Sequence, residues 1–291
     1  VKHPASEQDL FRDPRAVLKR YGHLPKKSFG QNFLVSPKAV LTIAKACVDE
    51  PGRAVLEIGP GAGTLTHALL GLGGRVRAIE RDRDMCALLR CEYPDATNFA
   101  LVEADAGSFD YSSATTQEPI VIAGNLPYHI TGLILRQVLA LRQGLVRAVL
   151  MVQKEVADRL LAPASTKSRG ALSVIAQAGF CVTKLLVLPP GAFHPPPKIH
   201  SAVVCLEPLP LPVYAPLPFS AFEAAVQAGF VARRKTLRNC LALTGIANPD
   251  ECAFILESCS IDPSRRAESL ELEEFAKLAS ALKARQFVQT R

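Results

Sequence analysis

Along the middle of the chain, short β-rich apolar runs alternate with stretches whose apolar residues recur at helical spacing. The runs "AVLEIG" (54–59), "RVRAIE" (75–80), "FALVEA" (99–104), "IVIAGN" (120–125), "VRAVLMVQ" (146–153), "FCVTKLLVLP" (180–189) and "SAVVCLEP" (201–208) predict seven strands. Between them, "TLTHALLGLG", "DMCALLRCEY", "GLILRQVLALR", "KEVADRLLA" and "ALSVIAQAG" predict helices. Near-continuous Val/Ile/Leu strands separated by helices imply an α/β fold with a mostly parallel sheet covered on both faces. Only a Pro-rich loop divides the last two strands, which permits an antiparallel pairing at the sheet edge.

After residue 208 the pattern changes. Pro208 to Pro218 holds five prolines in eleven residues, too many for a helix or a central strand. Beyond it, "FSAFEAAVQAGF", "PDECAFILESC" and "LELEEFAKLASALKARQ" are helical in period, with Ser269 placed to cap the last. The expected division is therefore 1–208 for the α/β domain and 209–291 for a small helical domain.

Composition narrows the class. The chain of 291 residues is 48% hydrophobic and 21% charged, and no apolar run approaches the roughly 20 residues that span a membrane. The N-terminal stretch has no apolar core of the secretory type. Eight cysteines are scattered without a C-x-x-C pair, as expected of reduced core thiols in a cytoplasmic protein. His194 and His200 flank "PPPKI" and make no metal-ligand pair, so no metal is expected. The net charge is +7, and it is clustered. Residues 1–38 carry eight Lys/Arg against three acids, and "ARRKTLRN" adds Arg233, Arg234, Lys235 and Arg238. Such clusters suit a polyanion, because each phosphate contact releases counterions, although a solvated basic face has the same composition.

Candidate chemistry lies at the strand ends. "LEIGPGAGTLTHALL" closes a strand, turns through glycines and opens a helix, a geometry that admits a ligand close to the backbone. Thr64 stands where the dinucleotide fingerprint requires its third glycine, and the glycines fall instead at Gly59, Gly61 and Gly63, just after Glu57. That loop is nearer to one that holds a nucleoside-type methyl donor. Glu80 ends the second strand, where a carboxylate can accept ribose hydroxyls, and Asp105 follows the third, in reach of an adenine amine. Either acid alone could equally be a helix cap.

The fourth strand ends in "GNLPY". Beside a methyl donor, the Asn125 amide oxygen and the Leu126 carbonyl could accept both hydrogens of an exocyclic amine, with Pro127 stiffening the step and the Tyr128 ring available for stacking. The alternative is a purely structural strand-to-helix turn.

"SFGQNFL" (28–34), "EIGPGAGTLT" (57–66), "GNLPYHI" (124–130), "QKEVADRL" (153–160), "GAFHPPPKIHSAVV" (191–204) and "RRKTLRN" (233–239) together resemble the adenine N6,N6-dimethyltransferases of small-subunit ribosomal RNA. The resemblance covers the chain from about residue 20. It implies a Rossmann-like class I methyltransferase sheet of seven mostly parallel strands, S-adenosylmethionine as cofactor, and a C-terminal helical domain that helps hold RNA. It also implies that Gln31, Asn32 and Leu34 close over the methionine end of the cofactor, and that Phe193 sandwiches the target base against Tyr128. His129, where relatives often carry Asn, departs from the pattern. The expected activity is dimethylation of two neighbouring adenosines in the immature small subunit, by a monomer. A related class that modifies one large-subunit adenosine, a non-catalytic RNA-binding assembly factor, and a nicotinamide dehydrogenase are the competing readings. The intact "NLPY" weighs against the second and Thr64 against the third.

Overall fold

A computed structural model describes residues 9–115, 118–128 and 130–289. In chain order the elements are α1 (Pro14–Arg20), β1 (Phe33–Leu34), α2 (Pro37–Cys47), β2 (Ala54–Ile58), α3 (Thr64–Gly71), β3 (Arg75–Glu80), α4 (Arg83–Glu92), β4 (Phe99–Glu103), β5 (Ile120–Asn125), α5 (Thr131–Ala140), β6 (Leu145–Gln153) and α6 (Lys154–Leu160). They continue with α7 (Ala171–Gly179), β7 (Phe180–Leu188), β8 (Phe193–His194), β9 (Ser201–Pro208), α8 (Phe219–Gly229), α9 (Leu237–Leu243), α10 (Pro249–Ser258) and α11 (Leu272–Gln289).

All seven expected strands join one sheet in the order β4-β3-β2-β5-β6-β9-β7. The pairs β4/β3, β3/β2, β2/β5 and β5/β6 are parallel, and β6/β9 is antiparallel. From β2 the chain moves outwards to β3 and β4, then returns to place β5 on the other side of β2. This reversal opens a crevice at the carboxyl ends of β2 and β5, where open α/β sheets bind ligands. Gly124 is fixed there by close approach, since a Cβ on it would lie 2.6 Å from the Ile58 carbonyl oxygen. Central strands are buried along most of their length and edge strands β4 and β7 are partly exposed, which explains their more mixed sequences. On one face of the sheet, Val40 and Ile43 of α2 and Leu69 of α3 pack with Val121, Val149 and Val203.

Helices α1, α2 and α9 and strands β1 and β8 are not among the predicted elements. Helix α2 starts with Ser36 accepting from the Ala39 N–H and Pro37 opening the first turn, and it buries Ala39, Val40, Ile43, Ala44 and Cys47 along one face. Strands β1 and β8 form a two-stranded antiparallel ladder, Phe33 opposite His194 and Leu34 opposite Phe193, that no two-residue pattern could announce.

The chain forms two compact units. One runs to Ala157 and includes Thr183–Glu207; the other consists of Asp158–Val182 and the chain from Pro208 onwards. A single division at 208 therefore misplaces α7. Its apolar residues join the helical unit, where the buried Arg169 guanidinium donates to the Ala162 and Leu270 carbonyls and the Ser165 N–H to that of Glu268. Ser269 is not the cap of α11. It lies in a 3-10 turn, and the Glu274 carboxylate reaches back instead to the Glu271 N–H at 2.7 Å, ahead of Leu272. No helix among the described residues is long and apolar enough to cross a membrane.

Candidate active site

At the end of β2, Gly59 and Gly61 both take positive φ, 64° and 55°, which only glycine adopts without strain. Gly63, also left-handed, starts α3. The loop is tied to β3 by the Glu80 carboxylate. Its Oε1 accepts from the N–H groups of Arg81 (2.9 Å) and Asp82 (2.8 Å), and its Oε2 from that of Gly61 (3.1 Å). Three of its four lone-pair sites are thus filled by backbone, leaving room for one further donor in plane rather than two. Burial raises the Glu80 carboxyl above its ordinary range despite those bonds. Glu57, fully buried beneath the loop, accepts from the Thr66 hydroxyl at 2.6 Å; desolvation, reinforced by the nearby Glu80 charge, lifts its pKa to about 7.

Asp105 stands at the same rim, between two donors. Its Oδ1 accepts from the Gly107 N–H and its Oδ2 from the Arg81 guanidinium, each at 2.8 Å. The cleft between these carboxyl ends is lined by Gly59, Gly61, Glu80, Asp105, Asn125, Leu126, Pro127 and Tyr128 from the sheet side, and by Gln31, Asn32 and Leu34 from a strap that precedes α2. Its acceptors and buried acids suit a nucleoside that carries a cationic amino-acid arm. The left-handed glycines leave the turn free of side chain where such an arm would lie.

Asn125 ends β5, and its Nδ2 donates to the main-chain carbonyl of Asn32 at 2.9 Å. A carbonyl only accepts, so the amide can turn only one way, and the acid-free acceptor Oδ1 is the atom left for a ligand. Leu126 is anchored through its N–H to the Met151 carbonyl at 3.0 Å. The Pro127 carbonyl accepts from the Ile130 N–H and the Thr131 hydroxyl, which fixes the step. The Tyr128 hydroxyl pairs with that of the fully buried Ser201 at 2.8 Å, holding the phenol on β9. His129 lies outside the described residues.

The family described as ribosomal RNA adenine dimethylase matches residues 22–283. The chain belongs to this family. Among relatives of this rRNA adenine dimethylase is the ribosomal RNA small subunit methyltransferase A of Anaeromyxobacter sp. (strain K), 43% identical over 284 residues that cover 94% of this chain and 99% of the relative. The solved dimethyladenosine transferase from Plasmodium falciparum is similar at a TM-score of 0.73 and 25% identity, over 87% of this chain and 98% of that one. The solved 23S rRNA methyltransferase ErmE is similar at a TM-score of 0.65 over 87% of this chain and all of its own, and at 22% identity the likeness is one of fold.

Three expectations for the dimethylase change on the structure. Phe193 is 3% exposed and packs in the core with Leu34, Met151 and Val203; its ring does not line the cleft, so stacking on a base would require it to leave that cluster. It was placed there by the β1/β8 ladder, which turns it inward. The Gln31 side chain is committed to protein partners, its Oε1 to the Lys26 N–H and its Nε2 to Asp82. Much of the basic arm is neutralised in place: Arg12 and Arg20 both pair with Glu92, Arg15 with Asp13, and Lys26 with Asp82 and Asp84. Val17 and Leu18 of α1 pack with Met85, Leu88 and Leu89 of α4, so this segment is a brace. In the helical unit, Arg234 and Lys235 are exposed, Arg233 is exposed but donates to the Lys167 carbonyl, and Arg238 is half-buried in the first turn of α9.

Sequence reasoning missed Asp82, Arg81 and Ser201. For Asp82 a signal existed, since "ERDRD" at a strand end is a helix start, and Asp82 does cap α4 by accepting from the Asp84 N–H. Among the described residues no cluster of three or more His, Cys, Asp or Glu has the arrangement of a metal site.

Proposed function

We propose that the chain transfers methyl groups from S-adenosylmethionine to N6 of two adjacent adenosines of small-subunit ribosomal RNA, acting as a monomer on the immature subunit in the cytoplasm. The observation that carries this reading is the Asn125 amide in the cleft beside the glycine loop, whose Nδ2 is taken by the Asn32 carbonyl so that Oδ1 is left as the acceptor. The curated relatives named for the small subunit favour that RNA over the large-subunit target.

The cofactor supplies a methyl carbon on a sulfonium. Glu80 offers its remaining acceptor site to the ribose, Asp105 an acceptor to the adenine amine, and the glycine loop room for the amino-acid arm. A flipped adenine stacks on the Tyr128 ring, an interaction typically worth ~1–3 kcal/mol per base, which offsets part of the cost of extracting it. Asn125 Oδ1 and the Leu126 carbonyl accept the two N6 hydrogens, which turns the nitrogen lone pair out of the purine π-system and towards the methyl carbon. For each methyl group that the bound cofactor would supply, N6 would give up one proton to solvent. After the first transfer one N–H remains, and a single acceptor then suffices for the second. Positioning accounts for the rate, since effective molarities of ~10⁵–10⁸ M are available to well-oriented reactants.

Incubation with tritiated cofactor and each separated ribosomal subunit tests the proposal. Label should enter small-subunit RNA as N6,N6-dimethyladenosine; label confined to large-subunit RNA would overturn the target assignment.

A further inference from the structure

The strap that supplies the Asn32 carbonyl is fastened on both sides of that residue. Towards the C-terminus, the β1/β8 ladder begins at once with Phe33. Towards the N-terminus, the side chains of Lys26 and Gln31 meet on Asp82, which is 1% exposed, and the Lys26 ammonium also pairs with Asp84 at 2.6 Å. Its Oδ1 accepts from the Lys26 ammonium at 2.6 Å and its Oδ2 from Gln31 Nε2 at 2.7 Å, while Gln31 Oε1 accepts from the Lys26 N–H at 2.8 Å. The ends of the 26–31 loop are thereby closed on one buried carboxylate, one residue short of Asn32. Opening this fastening would loosen one of the two anchors of the Asn32 carbonyl, the acceptor that selects the amide orientation of Asn125.

We propose that Asp82 and Gln31 form a latch whose task is to hold the Asn32 carbonyl against Asn125, so that both are positioning residues for methyl transfer that act through the catalytic amide. The proposal rests on the reading of Asn125 given above. It assigns Gln31 to the strap's own anchorage rather than to contact with cofactor.

The bond between Gln31 and Asp82 can be reversed in polarity without loss of shape. Gln31→Glu sets two carboxylates against each other and opens the latch. Adding Asp82→Asn restores one donor and one acceptor between the same positions: the new amide NH₂ faces 31, and its oxygen keeps Lys26 and the Asp84 N–H. Single-turnover methylation of small-subunit RNA by the full chain should fall at least tenfold in Gln31→Glu, with RNA affinity within threefold of wild type. The double variant should recover to within threefold. Lys26→Met, which removes only the ammonium, provides a second probe if Gln31→Glu is poorly folded, and should slow the step three- to tenfold. A rate within twofold of wild type in Gln31→Glu, or a double variant as slow as the single, overturns the latch. In the Lys26→Met arm, an unchanged rate does the same. Wild-type protein that transfers no methyl group would instead overturn the functional reading beneath it.

Discussion

Replacing Glu57 with Gln should stabilise the protein at alkaline pH. The carboxyl is fully buried under the glycine loop, and burial is the largest influence on it, raising its pKa from 4.5 to about 7. Below pH 4.5 folded and unfolded forms both hold the proton and burial of a charge costs nothing. As the pH rises the unfolded chain releases its proton first, so stability falls until the folded carboxyl has also ionised, above pH 7. The gap between the two values corresponds to ~3 kcal/mol against the folded state when ionisation is complete. About 2 kcal/mol of that loss develops between pH 5.5 and 8.5. The amide mimics the protonated acid, keeps an acceptor for the Thr66 hydroxyl, and does not titrate. Urea unfolding at both pH values gives the test, because Glu80, raised in the same direction, is present in both proteins and largely cancels in the difference. The variant should gain on wild type by ~2 kcal/mol between pH 5.5 and 8.5. A difference that stays constant over this range would refute the argument, since it would mean that Glu57 is already ionised in the fold at pH 5.5.

Gly61→Ala should cost ~1–2 kcal/mol from its left-handed backbone alone. The added Cβ would also lie 2.8 Å from Phe33 Cε1, so the strap must shift, and methyl transfer should fall more than tenfold; denaturant unfolding and single-turnover rates check both, and a rate within twofold would contradict the geometry. Arg234→Ala with Lys235→Ala should weaken RNA binding and flatten the log–log salt dependence by about 1 per lost phosphate contact. An unchanged slope would show that these exposed cations do not meet RNA.

What the sequence disclosed follows from the physics of each signal. The central strands were legible because a strand buried on both faces is a continuous apolar run, and the rim was legible because Glu80 and Asn125 end such runs and Gly59 and Asp105 closely follow them. Pairing partners were not. Whether Arg12 and Arg20 face RNA or Glu92 depends on how α1 packs on α4, a contact made across more than 70 residues. The family resemblance implies that Phe193 stacks on a base, yet it is buried in the core where the two-residue ladder pairs it with Leu34 of β1. Gln31 could be matched to a motif, but that its amide is consumed by Lys26 and Asp82 emerges only when the strap and the end of β3 are brought together. Helix α9 was hidden because its buried residues Leu237, Cys240 and Leu241 are interleaved with the basic cluster.

The most direct test of the account is mass spectrometry of small-subunit RNA methylated by the wild-type protein and by Asn125→Ala. Wild type should yield N6,N6-dimethyladenosine at two adjacent positions, and the variant should yield none while still binding RNA. Equal dimethylation by the two proteins would contradict the role given to the Asn125 amide.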